Sequence, residues 1–221
     1  MTSRGSDLTT GAHFDEPVAI VGIGARFAKA DDIQDFWRLS LEGVATFEGI
    51  PADRWDFEAF YDDNPRSRDK SYAPTGAWIE DVRSFPAVAL QVPPRRVEVM
   101  DPQQRLVLEC ALQAVDDSGR NPEDLPHRTG VYVGITAMEY RTLSSARIMA
   151  QWMATGAFGT PPEDLGPLAD AVERVLPARP FTAPGSLSNM AAATVAQELR
   201  LHGPAYTTDA ACASGLVAVH S

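Results

Sequence analysis

The 221-residue chain is 44% hydrophobic and 22% charged, an ordinary globular balance, long enough for one large domain or two small ones. With 19 Lys and Arg against 30 Asp and Glu the formal net charge is −11, which argues against nucleic acid and against an anionic membrane surface as partners. The two cysteines, Cys110 and Cys212, belong to no CxxC or Cys/His cluster, so no zinc ligand set is expected.

The first residues are polar and contain no apolar signal region, and nowhere do roughly 18 apolar residues run together, so a cytoplasmic protein with reduced thiols is expected. Residues 1–15 read as a flexible leader, with one folded unit from 16 to 221. Pro17-Val18-Ala19-Ile20-Val21-Gly22-Ile23-Gly24 is a short apolar run ending in glycines, the pattern of a strand buried on both faces. A helix is predicted from Asp31-Asp32, with acidic residues in its first turn and Phe36, Leu39 and Gly43 or Val44 on one side. Residues 48–80 mix Pro, Asp, Arg and Gly with Trp55, Phe57, Phe60, Tyr61 and Trp78, and are expected to form an ordered excursion.

Asp101 and Pro102 start the best-punctuated helix, as N-cap and first helical residue. Val107, Cys110, Ala111, Ala114 and Val115 repeat at helical spacing, and Gly119 ends it. Thr129–Gly134 reads as a second buried strand. A Met- and Ala-rich stretch, a break at Pro161-Pro162 and a helical pattern from Leu165 to Leu176 follow. Ser188–Leu201 is a further helix, Tyr206–Asp209 a strand, and Ala210–Val219 a turn into a helix. Strands alternating with helices indicate an α/β class with a parallel or mixed sheet. The final helix shows no stop signal, so a chain cut inside that helix is expected.

Gly22-x-Gly24 after a predicted strand invites a dinucleotide reading, but Phe27 occupies the third glycine position, so a tight turn is expected there instead. Cys110 lies on an apolar helix stripe and reads as a small core residue. Cys212 sits between a strand and a helix among Ala211, Ala213, Ser214 and Gly215. Small residues permit the sharp turn that presents a nucleophile, and a helix start favours thiolate and holds an oxyanion. A cysteine nucleophile calls for a base, usually His. His13 lies in the leader, His127 in a loop and His202 in a helix-to-strand turn. His220 is eight residues beyond Cys212, hence ~12 Å down the same helix. The residues alone thus offer a nucleophile with no placed base.

Several blocks resemble the β-ketoacyl synthase (ketosynthase) domains of polyketide and fatty-acid synthases, in family order and spacing. They are Glu16–Gly24, Phe36-Trp37, Pro51-Ala52-Asp53-Arg54-Trp55, Met100-Asp101-Pro102-Gln103-Gln104-Arg105-Leu106, Thr129–Gly134 and Gly203-Pro204. Asp209-Ala210-Ala211-Cys212-Ala213-Ser214-Gly215-Leu216-Val217-Ala218-Val219-His220 is similar to the family's D-T-A-C-S-S-S-L-V-A-V-H signature. There are departures. Ala28 stands for a usual Pro, Ala89-Leu90 for Phe-Phe, Arg96 for a typical Glu and Thr194 for a frequent Arg. Pro180-Phe181-x-x-Pro184 with Asn189-Met190 resembles discrete fatty-acid enzymes, and Ala210 with Ala213 iterative and polyunsaturated-fatty-acid types.

The resemblance implies an α/β, thiolase-like fold of two halves, a mixed sheet flanked by helices, of which 16–221 would be the N-terminal half, ending within the active-site cysteine helix. It implies a homodimer, with the 205–210 strand near the two-fold axis. It implies that Cys212 accepts an acyl group and that a malonyl-type extender condenses with loss of carbon dioxide. Partners would be acyl carrier protein and the acyl and malonyl-type thioesters. No cofactor is implied beyond the phosphopantetheine or coenzyme A that carries substrate, and no metal. Two histidines, a lysine and an oxyanion donor would come from the second half, which leaves residues 1–221 alone inactive in condensation and poorly stable. Competing readings are a non-catalytic half-domain or a split-gene or pseudoenzyme partner of a ketosynthase, a decarboxylating or loading variant, and a cysteine hydrolase.

Overall fold

The computed structural model describes residues 17–88, 90–160, 164 and 166–221. The leader, the Pro161-Pro162 break, Ala89 and Leu165 lie outside the described residues. In chain order the elements are α1 (Ile33–Glu42), β1 (Glu48–Gly49), α2 (Phe57–Phe60), β2 (Thr75–Gly76), α3 (Pro94–Val97), α4 (Pro102–Asp117), β3 (Val131–Gly134), α5 (Glu139–Ala154), α6 (Gly166–Val175), α7 (Thr182–Gly185), α8 (Asn189–Glu198), β4 (Ala205–Thr208) and α9 (Ser214–His220).

The helix starts are as expected. Asp32 caps α1 through hydrogen bonds from the Gln34 and Asp35 amides, whereas Gly43, expected on the side of Phe36 and Leu39, instead ends the helix at φ 63°. Asp101 caps α4, Pro102 is its first residue, and Gly119 follows the Ser118 cap at φ 71°. The excursion is ordered through its aromatics. Trp55 stacks on Phe60 and Phe57 packs on Tyr61, while β1 and β2 pair antiparallel. The Met- and Ala-rich stretch forms α5, which packs against α6.

β3 and β4 pair in parallel, with Gly134 opposite Thr208. α8 joins this pair to α4, where Leu108, Val195, Leu199 and Leu201 form the core. The expected stripe on α4 is only half-buried, and the buried residues are Gln104, Arg105 and Leu108. The reason is that α4 is covered from more than one side. Leu108 faces α8, whereas Gln104 Nε2 lies within hydrogen-bond distance of the Pro184, Gly185 and Leu187 carbonyls, 3.1–3.2 Å away. A single apolar stripe describes a helix covered on one face only.

The run 17–24 departs from the expected buried strand. It has no regular secondary structure, and Val18, Ile20 and Val21 are 94%, 82% and 67% exposed. Its backbone is held by α4 side chains: the Ile23 amide donates to Asp117 Oδ2 at 2.8 Å and the Ala25 amide to Gln113 Oε1 at 2.9 Å. A strand needs a neighbour at its edge, and among the described residues none pairs with this segment. Its glycines are not turn residues either. A Cβ on Gly22 would lie 2.0 Å from the Ala114 carbonyl oxygen, and one on Gly24 1.9 Å from that of Cys110, so both serve close approach to α4.

Two of the departures noted above meet in space. Arg96 on α3 donates to Thr194 Oγ1 on α8 at 3.0 Å and pairs with Glu198 at 2.7 Å. Thr194 is fully buried, and the charged side chains are 13% and 17% exposed. Arg96 is thus matched within this chain, with Glu198 as the acid and Thr194 as a second acceptor. Arg96→Ala strands a largely desolvated carboxylate. It is expected to lower stability by ~2 kcal/mol, between the values for exposed and fully buried pairs. Denaturant unfolding in a double-mutant cycle with Glu198→Gln checks this, and purely additive effects would exclude the pairing.

Candidate active site

β4 leads into Cys212. The strand ends at Thr208, whose carbonyl accepts the Ile135 amide at 3.0 Å, and the chain reverses through Asp209, Ala210, Ala211 and Cys212 before α9 begins at Ser214. Cys212 therefore stands at a strand-to-helix turn after the strand that contains Thr207 and Thr208, where the small-residue pattern put it. Its thiol is free and the residue is exposed.

The turn is tight because Ala211 adopts φ 50°, in the left-handed region that a Cβ disfavours. The Ala211 amide donates to Asp209 Oδ1 at 3.0 Å, and the Ala210 amide to Ser214 Oγ at 2.9 Å. Ser214 Oγ in turn donates to the Ala211 carbonyl at 2.7 Å. Behind the turn, β3 approaches α9 so closely that a Cβ on Gly134 would lie 2.5 Å from the Ser214 carbonyl carbon. Gly134 and Gly215 also border an open, largely apolar cleft of about 710 Å³, lined further by Cys110, Tyr132, Val133 and Val219.

Cys110 differs in its burial and its setting. It is a free thiol, half-buried on α4, and burial is the main influence raising its pKa, followed by the neighbouring Glu109 charge. Burial likewise pushes the Glu109 carboxyl upward, against the attraction of Arg26, whose Nη1 lies 3.0 Å from it. The histidines do not gather at the turn. His127 and His202 face each other with ring centroids 5.8 Å apart, and the His202 amide donates to the His127 carbonyl at 2.6 Å. Both precede their strands, at the end of the parallel pair opposite Cys212. His220 is the last residue of α9, and His13 lies outside the described residues. Among the described residues no group of three or more His, Cys, Asp or Glu could hold a metal ion, and no helix is long and apolar enough to cross a membrane.

Reading the chain residue by residue missed the supporting set of Asp209, Ser214 and Gly134. Asp209 carried a local signal, an acceptor two residues before the amide it receives. Ser214 counted only as a small neighbour, and Gly134 only as a strand end.

A family model described as "Beta-ketoacyl synthase, N-terminal domain" matches residues 15–221. The chain belongs to the β-ketoacyl synthase family. A type I polyketide synthase of phenolphthiocerol synthesis from Mycobacterium marinum is 36% identical over 208 residues, 93% of this chain and 8% of that protein. Polyketide synthase PksL of Bacillus subtilis (strain 168) is 30% identical over 213 residues, 93% of this chain and 4% of that protein. The chain thus spans less than a tenth of the length of these two relatives. Among solved structures, an oxazolomycin ketosynthase domain from Streptomyces albus JA3453 superposes with a TM-score of 0.70 at 31% identity, over 91% of this chain and 30% of that one. The ketosynthase from module 6 of the bacillaene synthase of Bacillus subtilis 168 gives 0.65 at 26% identity, over 91% and 28%. The ketosynthase fold places this chain in the α/β class, as the N-terminal part of a thiolase-like architecture.

Proposed function

We propose that this chain supplies the nucleophile of a 3-oxoacyl-[acyl-carrier-protein] synthase type acyltransferase working in polyketide or fatty-acid assembly. The observation that carries the reading is the exposed thiol of Cys212 on a left-handed strand-to-helix turn, inside the segment that matches the family. In the first step the Cys212 thiolate attacks the carbonyl of an acyl thioester. A new thioester forms on Cys212 and the carrier thiol leaves. In the second, a malonyl-type thioester loses its carboxylate as carbon dioxide, and the resulting carbanion attacks the Cys212 thioester. A carbon–carbon bond forms and the thiolate is released.

The reading takes its histidine base and oxyanion donor from further sequence, as the family resemblance implies. Its partners are an acyl carrier protein and a second copy of the protein. The edge of β4 away from β3 pairs with no strand among the described residues, which supports a partner there.

The test is acyl loading on the full protein. Incubation with an acyl carrier-protein thioester, digestion and mass mapping should place the acyl group on the peptide containing Cys212 and leave Cys110 unmodified, because only a thiolate attacks and burial holds Cys110 as thiol. Acylation of Cys110 alone would refute the assignment. No acylation of either would favour the non-catalytic half-domain.

A further inference from the structure

Resting on the reading of Cys212 as the acyl acceptor, we infer that Ser214 is a positioning residue for the acyl-transfer step, holding the Cys212 turn in its left-handed form. The turn needs such a device, because Ala211 at φ 50° relaxes toward ordinary backbone unless its neighbours forbid it. Ser214 is 5% exposed, and its one oxygen spans the strained residue. It receives the Ala210 amide at 2.9 Å and donates to the Ala211 carbonyl at 2.7 Å. The Ala210 N–H and the Ala211 C=O, which bracket these two residues, are thereby tied to one atom, and the second belongs to the peptide that leads into Cys212.

Ser214 cannot follow the turn if the turn moves. Its own backbone rests against Gly134 of β3 at a distance that excludes even a methyl group. The hydroxyl therefore transmits the position of β3 to the Cys212 thiol. Asp209 braces the outer side of the same residue through the Ala211 amide at 3.0 Å, but it is exposed and water can replace its oxygen. Water has no comparable access to Ser214. The Ser214 amide also reaches the Ala211 carbonyl, at 3.1 Å, so removing the hydroxyl leaves that acceptor partnered and orphans the Ala210 amide alone. The expected result is a shifted thiol on an intact fold.

The experiment uses the full protein with Ser214→Ala, Ser214→Thr and the double variant Ala211→Gly/Ser214→Ala. Acyl loading of Cys212 from an acyl carrier-protein thioester is followed by mass spectrometry, and alkylation by iodoacetamide in parallel. In Ser214→Ala the maximal loading rate should fall roughly 10- to 100-fold, with half-saturating thioester concentration unchanged. Alkylation needs an exposed thiol and no alignment, so it should change by less than about threefold. Ser214→Thr, which keeps the hydroxyl, should load within about threefold of the parent. Glycine holds a positive φ without steric cost, so the double variant should recover much of the rate, a rescue that lost packing would not give. Parental loading by Ser214→Ala overturns the inference, and so does a double variant no faster than Ser214→Ala. Should Ser214→Ala not fold, Ser214→Thr and the double variant decide it, and a loss of loading in both while folded overturns the inference. If the unsubstituted protein takes up no acyl group, the functional reading fails first and this inference with it. If the parent loads and Ser214→Ala loads equally, this inference alone fails.

Discussion

Cys212→Ala is expected to remove acyl loading from the full protein by about 10³-fold or more, to the background of the assay. Alanine offers no lone pair to the thioester carbonyl, and Cys110, the other cysteine, is half-buried with its thiol pushed toward the protonated form. The loss should be chemical and not structural. Cys212 is exposed, and substitutions at such positions change stability by within about 0.5 kcal/mol. Unfolding curves of variant and parent should therefore coincide while the mass shift on the Cys212 peptide disappears. Cys110→Ala is the control. It removes a partly buried sulfur, costs some packing and should leave loading intact. A Cys212→Ala protein that still acquires the acyl group at the parental rate would move the nucleophile elsewhere and remove the ground for a condensing role.

Gly134→Ala should be the most damaging of the single-methyl changes near the turn. The added Cβ would sit 2.5 Å from the Ser214 carbonyl carbon, 2.6 Å from the Gly215 nitrogen and 2.7 Å from the Ser214 oxygen. All three are backbone atoms, so no side chain can swing aside, and β3 and α9 must separate. A cost of about 3 kcal/mol is expected, at the upper end for overpacking. The Cys212 turn moves with α9, so loading should fall as well. Gly215→Ala provides the neighbouring comparison. Nothing lies within 4 Å of its would-be Cβ, and it is a helical residue, so alanine there should be neutral or stabilising by up to about 1 kcal/mol. Thermal or denaturant unfolding of both variants, together with loading rates, checks the pair. Equal stability of Gly134→Ala and parent would mean that the β3–α9 contact is looser than this geometry.

The features most legible in the chain were those written in local chemistry. The caps of α1 and α4 depend on residues within one turn of each helix end, and Asp32, Asp101, Pro102 and Gly119 act as their types predict. The Cys212 turn was equally local, since a run of small residues after a β-branched pair bends in few ways. What depends on distant neighbours was not legible. The run 17–24 carries the composition of a buried strand, but composition does not reveal whether a partner strand stands beside it. Leu108 was overlooked because α4 meets α8 on one side and residues 22–25 on another, and one periodic stripe cannot encode two covers. Gly134 and Ser214 lie 80 positions apart in sequence, and only the fold brings them together.

The Arg96–Glu198 pair bears on how this chain can be recombined with its kin. α3 and α8 form a matched set, each meaningful only with the other. A hybrid whose crossover falls between the two would keep one member of the pair and draw the other position from a foreign chain, so that Arg96 or Glu198 would stand largely desolvated without the counterion fitted to it. Crossovers before residue 94 or after residue 198, outside the segment from α3 to α8, carry the pair across whole.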